Sequence, residues 1–196
     1  MAVRTATHDE ILRSTVRLAR LSFTASAASV FLYDPDRDAL VFEASSGVGE
    51  DALVGVAIPP DRGIAGWVAN TGEPIIVRGA GQDERFDREF AAGTGLVPDV
   101  IMAVPIEHEG DILGVLEVLD PRLDLVGEMV ALDLLTELAN QSCAALSLLI
   151  ASRRAQARRA DTTGPVARLL AVLDDAGDDR EAAVNDLINA LSRLLR

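Results

Sequence analysis

Apolar residues recur at Leu12, Val16, Ala19 and Phe23, a spacing that puts all four on one face of a helix beginning near Asp9. The period then shortens. Residues 27–34 (AASVFLYD) and 39–45 (ALVFEAS) are aromatic and β-branched, and the PDRD between them supplies turn chemistry, which predicts a β-hairpin. A stretch punctuated by Gly55, Pro59 and Pro60 leads into residues 63–68 (GIAGWV), read as a short helix entered through a tight turn, and residues 75–77 form a short strand. From 78 to 99 the chain is polar and Gly-rich without a sustained period, which predicts a long loop. Loops of that length inside a domain are more often functional than merely connective. Residues 100–108 and 112–119 are two Val/Ile-rich runs joined at Glu109 and Gly110, the strongest hairpin signal in the chain. A two-residue turn there sets Leu113 opposite Ile106, Val115 opposite Val104 and Glu117 opposite Met102, leaving one carboxylate in an apolar row.

Residues 128–158 carry a helical pattern that at 1.5 Å per residue would extend about 46 Å, long for a domain of this size. Its apolar positions spread beyond the stripe that covering one sheet face requires, so the surplus predicts a second partner, most simply another copy of the same helix. The expected interface comprises Leu12 and Val16 of the first helix with Leu135, Leu138, Leu146 and Leu149 of the closing one. Small and polar residues at 161–165 break the pattern. The expected organisation is therefore a domain at 8–157, a linker at 158–165 and a helical hairpin at 166–196. That tail is too small to bury its own core, so it is expected to dock on the second copy or on a separate protein.

Composition narrows the function classes. With 49% hydrophobic and 25% charged residues and a mean hydropathy of +0.22, the 196-residue chain is too apolar to remain disordered and too interrupted for a membrane span. The net charge is −13 and every one of the 18 cations is Arg, so its field disfavours nucleic acid and anionic lipid. The N-terminal residues show no apolar run of signal-peptide length, and the expected location is the cytoplasm. A single cysteine, Cys143, excludes an internal disulfide, a cysteine-rich zinc cage and a two-cysteine redox relay.

The segments GIAGWVA, TGEP, RF, VP and GVLEV, in that order between the first helix and the long closing one, resemble the GAF domain over roughly residues 8–157. The resemblance implies an α+β fold: an antiparallel sheet with the N- and C-terminal helices on one face and the 78–99 segment closing a small-molecule pocket on the other, here followed by a C-terminal helical extension. It also implies a regulatory module that senses a ligand or dimerises. Independently of that likeness, Gly63, Gly66 and Gly72 suit places where the backbone must turn or pack closely.

Ligand contacts are expected from Arg85, Phe86, Asp87, Thr94 and Asp99 of the polar segment and from Met102 and Glu117 of the hairpin, a few polar groups orienting a ligand in apolar surroundings. The same residues also fit a segment pinned to the sheet by Phe86 and Phe90 with its charges solvated. Family members that bind cyclic nucleotides often carry an Asn, Lys, Phe, Asp, Glu series after the last strand. Here Asp120, Pro121, Arg122, Leu125 and Glu128 stand in its place, which speaks against nucleotide sensing. Cys143 is on the wrong element for a bilin, and one thiol cannot run the relay of the family's free methionine sulfoxide reductases. His8 and His108 read as solvent-facing rather than as ligands, so no metal or cofactor is expected. Arg153, Arg154, Arg158 and Arg159 suit a helix C-terminus better than a phosphate site. The resulting expectation is a non-enzymatic, cytoplasmic, homodimeric sensory protein, the alternative being a scaffold without ligand that acts through its C-terminal helices.

Overall fold

In the computed structural model, which describes residues 2–125 and 127–143, the first helix turns the Leu12, Val16, Ala19 stripe inward and buries all three. This helix, α1 (Ala2–Ser22), faces β1 (Ala27–Asp34) and β2 (Ala39–Gly47), which form the predicted hairpin. Its turn is held by the Asp34 carboxylate, which accepts from the Asp36 amide at 3.0 Å, and by the Tyr33 hydroxyl, which donates to Asp38 at 2.7 Å. Two short elements absent from the sequence reading follow, α2 (Glu50–Leu53) and β3 (Ala57–Ile58). Then come α3 (Gly63–Thr71) and β4 (Ile75–Arg78). The strands β5 (Val100–His108) and β6 (Asp111–Leu119) complete a six-stranded antiparallel sheet in the order β3-β2-β1-β6-β5-β4.

Two expectations need correction. The 78–99 segment is not all loop: it contains a 3-10 turn at Ala80–Gln82 and a helix, α4 (Arg88–Thr94), which Asp87 caps by accepting from the Phe90 amide at 3.0 Å. The β5–β6 register also differs. Near the turn it is as expected, with His108 opposite Asp111, but a bulge at Leu113 adds one residue to β6, so that Ile106 faces Gly114, Val104 faces Leu116 and Ala103 faces Glu117. Because side chains alternate along a strand, that one-residue slip decides which sheet face each later residue serves.

The two faces are accordingly distinct. Ala28 and Val30 of β1, Leu116 and Val118 of β6, and Met102 and Val104 of β5 share one face, all fully buried. Residues 128–143 are helical (α5) and bury Ala131, Leu135, Ala139 and Cys143, one residue per turn. Inside the protein α5 meets α1 through Thr15 and Ser142, whose hydroxyl oxygens lie 2.9 Å apart. It meets β5 through the Cys143 thiol, which donates to the Glu107 carbonyl at 3.0 Å. The opposite face carries a separate core of Phe31, Phe42, Ile101, Ala103 and Val115 closed over by Ile64, Ala65 and Val68 of α3.

Leu12, Val16 and Leu135 are thus core residues of a single chain, at most 2% exposed, and cannot form a surface for a second copy. On these two helices, among the described residues, the large apolar side chains that face outward are Leu18 and Leu21 of α1 and Met129, Val130 and Leu134 of α5. Leu138 is half-buried. Leu146, Leu149, the linker at 158–165, the arginine cluster and the 166–196 tail lie outside the described residues.

Glycine is indispensable at Gly114, where a Cβ would collide with the Phe31 carbonyl oxygen of the neighbouring central strand. We expect Gly114→Ala to lower the unfolding free energy by about 1–3 kcal/mol, the usual cost of forcing an extra carbon into a filled site. Gly93→Ala, on the open side of α4 with nothing within 4 Å of the new carbon, should instead be neutral or add up to about 1 kcal/mol. Urea unfolding of both variants checks the contrast.

Candidate functional site

The sheet face opposite α1 and α5 does not close completely. Between β1, β2, β5 and β6 on one side and the start of α3 and the 86–98 segment on the other lies a cavity of about 80 Å³. An apolar cavity of roughly 150 Å³ accommodates benzene, so this one holds a few waters or a ligand smaller than that ring. Its walls are mostly apolar, with Phe31, Phe42, Ile58, Ile64 and Ile101 among them. The polar groups are few: Ser29 and Glu117 on the floor, Arg62, Asp87 and Thr94 toward the rim.

Glu117 is on the floor because the Leu113 bulge turns it there. It stands directly opposite Ala103 on one side and Ser29 on the other. It lines the cavity, and desolvation by burial pushes its carboxyl up to about 7. Among the described residues no hydrogen bond or ion pair reaches that carboxyl. Ser29 is partnered: its oxygen lies 3.1 Å from Ser45 Oγ, and Ser45 in turn donates to the Ala28 carbonyl at 3.5 Å.

The cover is the 79–99 segment, held by side chains rather than by sheet pairing. Phe90 stacks on Phe42 at 5.6 Å between centroids, and Phe42 meets Phe31 at 4.1 Å, so one aromatic column runs from the cover to the central strand. Arg62, just before α3, donates to Asp87 and to Glu89, both at 3.0 Å, joining the start of α3 to the start of α4. Arg88 donates to the Gly81 carbonyl at 2.7 Å. Arg85 makes a two-pronged contact with Asp83 at 2.9 and 2.7 Å and lies 4.9 Å over the Trp67 ring. Those hydrogen bonds hold Asp83 down at about 2, against the desolvation that opposes them. At the far end Asp120 accepts from the Asp99 and Val100 amides at 2.8 and 3.0 Å, fixing where the segment re-enters β5.

Of the seven residues expected at the site, the structure brings four to the cavity: Phe86, Asp87, Thr94 and Glu117. Arg85 is not among its lining because its guanidinium is engaged by Asp83 and Trp67. Asp99 acts through its backbone, and its side chain is exposed. Met102 is corrected to the helix face, opposite Val118, by the bulge. Ser29, Phe31, Phe42 and Ile64 were missed: Ser29 and Phe31 meet the Glu117 strand only through the β1–β6 pairing, which joins residues far apart in sequence, and Phe42 and Ile64 reach the cavity from β2 and α3. His108 is exposed, and among the described residues no group of three or more His, Cys, Asp or Glu side chains could hold a metal ion. Among them, too, no helix is long and apolar enough to cross a membrane.

Comparison with known proteins adds to this geometry. The family model of the GAF domain matches residues 7–146. A probable 3',5'-cyclic phosphodiesterase, pde-5 of Caenorhabditis elegans, is 29% identical over 121 residues, covering 57% of this chain and 17% of that protein. The chain thus spans less than a fifth of the length of the curated relatives it matches. Among solved structures, the GAF domain of a phosphoenolpyruvate-protein phosphotransferase from Coxiella burnetii superposes with a TM-score of 0.63 at 21% identity, over 77% of this chain and 86% of that one. A free methionine-R-sulfoxide reductase from Neisseria meningitidis, solved with its substrate, superposes at 0.56 and 20% identity, over 76% and 86%. At these identities the structural likeness establishes the fold alone.

The raised carboxyl has a consequence for stability. Glu117 binds its proton more tightly in the folded state (about 7) than at its ordinary value of 4.5, so stability falls as pH rises between those values. The full cost above pH 7 is about 3 kcal/mol at 1.36 kcal/mol per pH unit. Asp83 titrates below this window and does not contribute to the change. Glu117→Gln should therefore be stabilised relative to the parent by about 3 kcal/mol more at pH 8 than at pH 4.5, as read from paired denaturant melts; an equal difference at both pH values would show that the carboxyl is not shielded.

Proposed function

The chain belongs to the GAF domain family, and on that premise we propose that it is a non-catalytic cytoplasmic sensor that binds a small molecule in the cavity under α4 and signals through α1 and α5. The observation that carries this reading is the cavity itself: a largely apolar, partly covered space with a carboxyl on its floor, under a segment held mainly by side-chain contacts. A ligand that favours one placement of Phe86 and Phe90 would shift the aromatic column to Phe31 on the central strand, and the opposite face of that strand carries Ala28 and Val30 toward the helices. Coupling of this kind requires that the ligand bind two arrangements with different affinity.

Several features favour regulation over catalysis. Cys143 of α5, the only thiol in the sequence, donates to the Glu107 carbonyl of β5, and burial pushes it up from its ordinary range, the reverse of an activated nucleophile. Among the described residues lining the cavity, the only carboxylate besides Glu117 is Asp87, and it is occupied by Arg62 and by the α4 cap. The hydrolysis named for the nematode relative belongs to a protein of which the match covers 17%, and it is not assigned to this chain. Nor does the acidic balance favour a nucleic-acid or membrane partner.

The proposed signalling form is a homodimer joined through Leu18 and Leu21 of α1 and Met129, Val130 and Leu134 of α5, with residues 166–196 offered to the second copy or to a protein partner. Leu21 is 57% and Met129 77% exposed, which no packing within the described residues accounts for. The smallness of the cavity supports the alternative, a scaffold that binds no ligand and works through the same helices.

Light scattering of the full chain should give twice 20.8 kDa at micromolar concentration, and the double variant Leu21→Glu, Met129→Glu should give the single mass with unchanged circular dichroism. A parent that scatters as a monomer removes the dimer. Melting in the presence of a metabolite set tests sensing, since a binder at 100 times its Kd adds about 2.7 kcal/mol; no shift with any compound favours the scaffold.

A further inference from the structure

We propose that the cavity is built for a compact amine, its nitrogen held between Glu117 and Ser29 and its carbon portion against Phe31, Ile64 and Phe86. The inference rests on reading the cavity as a ligand pocket and names the chemistry of what enters it.

The register supplies the geometry. Ser29 and Glu117 are direct partners across the antiparallel β1–β6 pair, and both line the cavity. Directly opposed residues in such a pair hold their Cβ atoms about 4.5–5.5 Å apart, within reach of a single nitrogen carrying several protons. The hydrogen bonds set the polarity. Ser29 and Ser45 share one hydrogen bond in which either hydroxyl can be the donor, and in both cases the Ser29 oxygen keeps a lone pair that can accept. The floor therefore offers acceptors: a hydroxyl oxygen and a carboxyl that no protein donor reaches among the described residues.

The rim excludes the opposite class. Apart from Glu117, the charged residues lining the cavity are Arg62 and Asp87. Arg62 is committed to Asp87 and to Glu89, so among the described residues lining the cavity no cation is left for an acidic ligand. An anion would meet Glu117 with nothing to offset it, whereas an ammonium gains a charge-assisted hydrogen bond to a group already desolvated. A volume of about 80 Å³ limits the ligand to a few heavy atoms.

The test uses the full chain at pH 8 with three probes of like size: n-propylamine, n-propanol and propionate. Amide resonances of Ser29, Ala103, Glu117 and Leu119 are followed by NMR titration. Propylamine should bind at least tenfold more tightly than propanol, and propionate should not bind. Glu117→Gln should weaken propylamine at least tenfold while leaving propanol within twofold, and Ser29→Ala should weaken propylamine by a smaller factor. The comparison of probes on the parent chain stands even where a variant fails to fold. Equal affinity for propylamine and propanol, or a Glu117→Gln variant that binds propylamine unchanged, overturns the proposal. Xenon separates the two levels of the argument: if xenon shifts the Ile64 and Ile101 methyl resonances but propylamine has no advantage, the amine assignment alone falls, whereas if neither xenon nor any probe perturbs the site, the pocket falls with it.

Discussion

The pairing of β1 with β6 at the centre of the sheet is the constraint on which everything else is built. It joins a strand from the start of the domain to one near its end, and the alternation along the two strands divides their side chains into two sets. Ala28, Val30, Leu116 and Val118 go to the helices. Ala27, Ser29, Phe31, Val115, Glu117 and Leu119 go to the other side, where α3 and α4 leave a gap. A shift of this pairing by one residue would send the carboxylate into the helix interface and the methyl groups into the cavity. Gly114 protects the arrangement, because it lets the Phe31 backbone come closer than any side chain would allow.

Much of the fold was legible because its signals are local. The Leu12, Val16, Ala19 and Phe23 stripe, the PDRD turn and the two Val/Ile-rich runs each depend on residues within one turn or one strand of each other. The run of GAF-like segments fixed their order, and the family model agrees. The bulge at Leu113 was not legible, since nothing in HEGDILGV distinguishes a regular strand from one with an extra residue. That single omission moved Met102 to the wrong face. Helix α4 escaped notice for another reason: it spans only Arg88–Thr94 and contains Gly93, so its apolar spacing is too brief to register, and its stability comes from the Asp87 cap and the Phe90 stack.

The candidate site was legible in its cover and not in its floor. Phe86, Asp87 and Thr94 stand close together in the sequence, but the floor is assembled from β1, β2, β5 and β6. Glu117 was singled out as the one charge in an apolar run, and its opposition to Ser29 appears only when the central strands are paired. The positions expected to meet a second copy were misjudged by one step of reasoning: greasy positions were assigned to a partner when the chain's own sheet takes the deepest of them, leaving Leu18, Leu21, Met129, Val130 and Leu134 exposed on the two helices.

The Thr15–Ser142 contact between α1 and α5 has an arithmetic of its own. Thr15 also points its hydroxyl at the Ile11 carbonyl at 3.1 Å and Ser142 at the Leu138 carbonyl at 2.9 Å. Two protons thus serve three short contacts, and whichever residue donates across the seam forsakes its own helix. If the helices slide, each hydroxyl can return to its own carbonyl with nothing orphaned. A buried polar joint of this kind tolerates slippage where interlocked leucines would resist it, and it lies on the seam between α1 and α5.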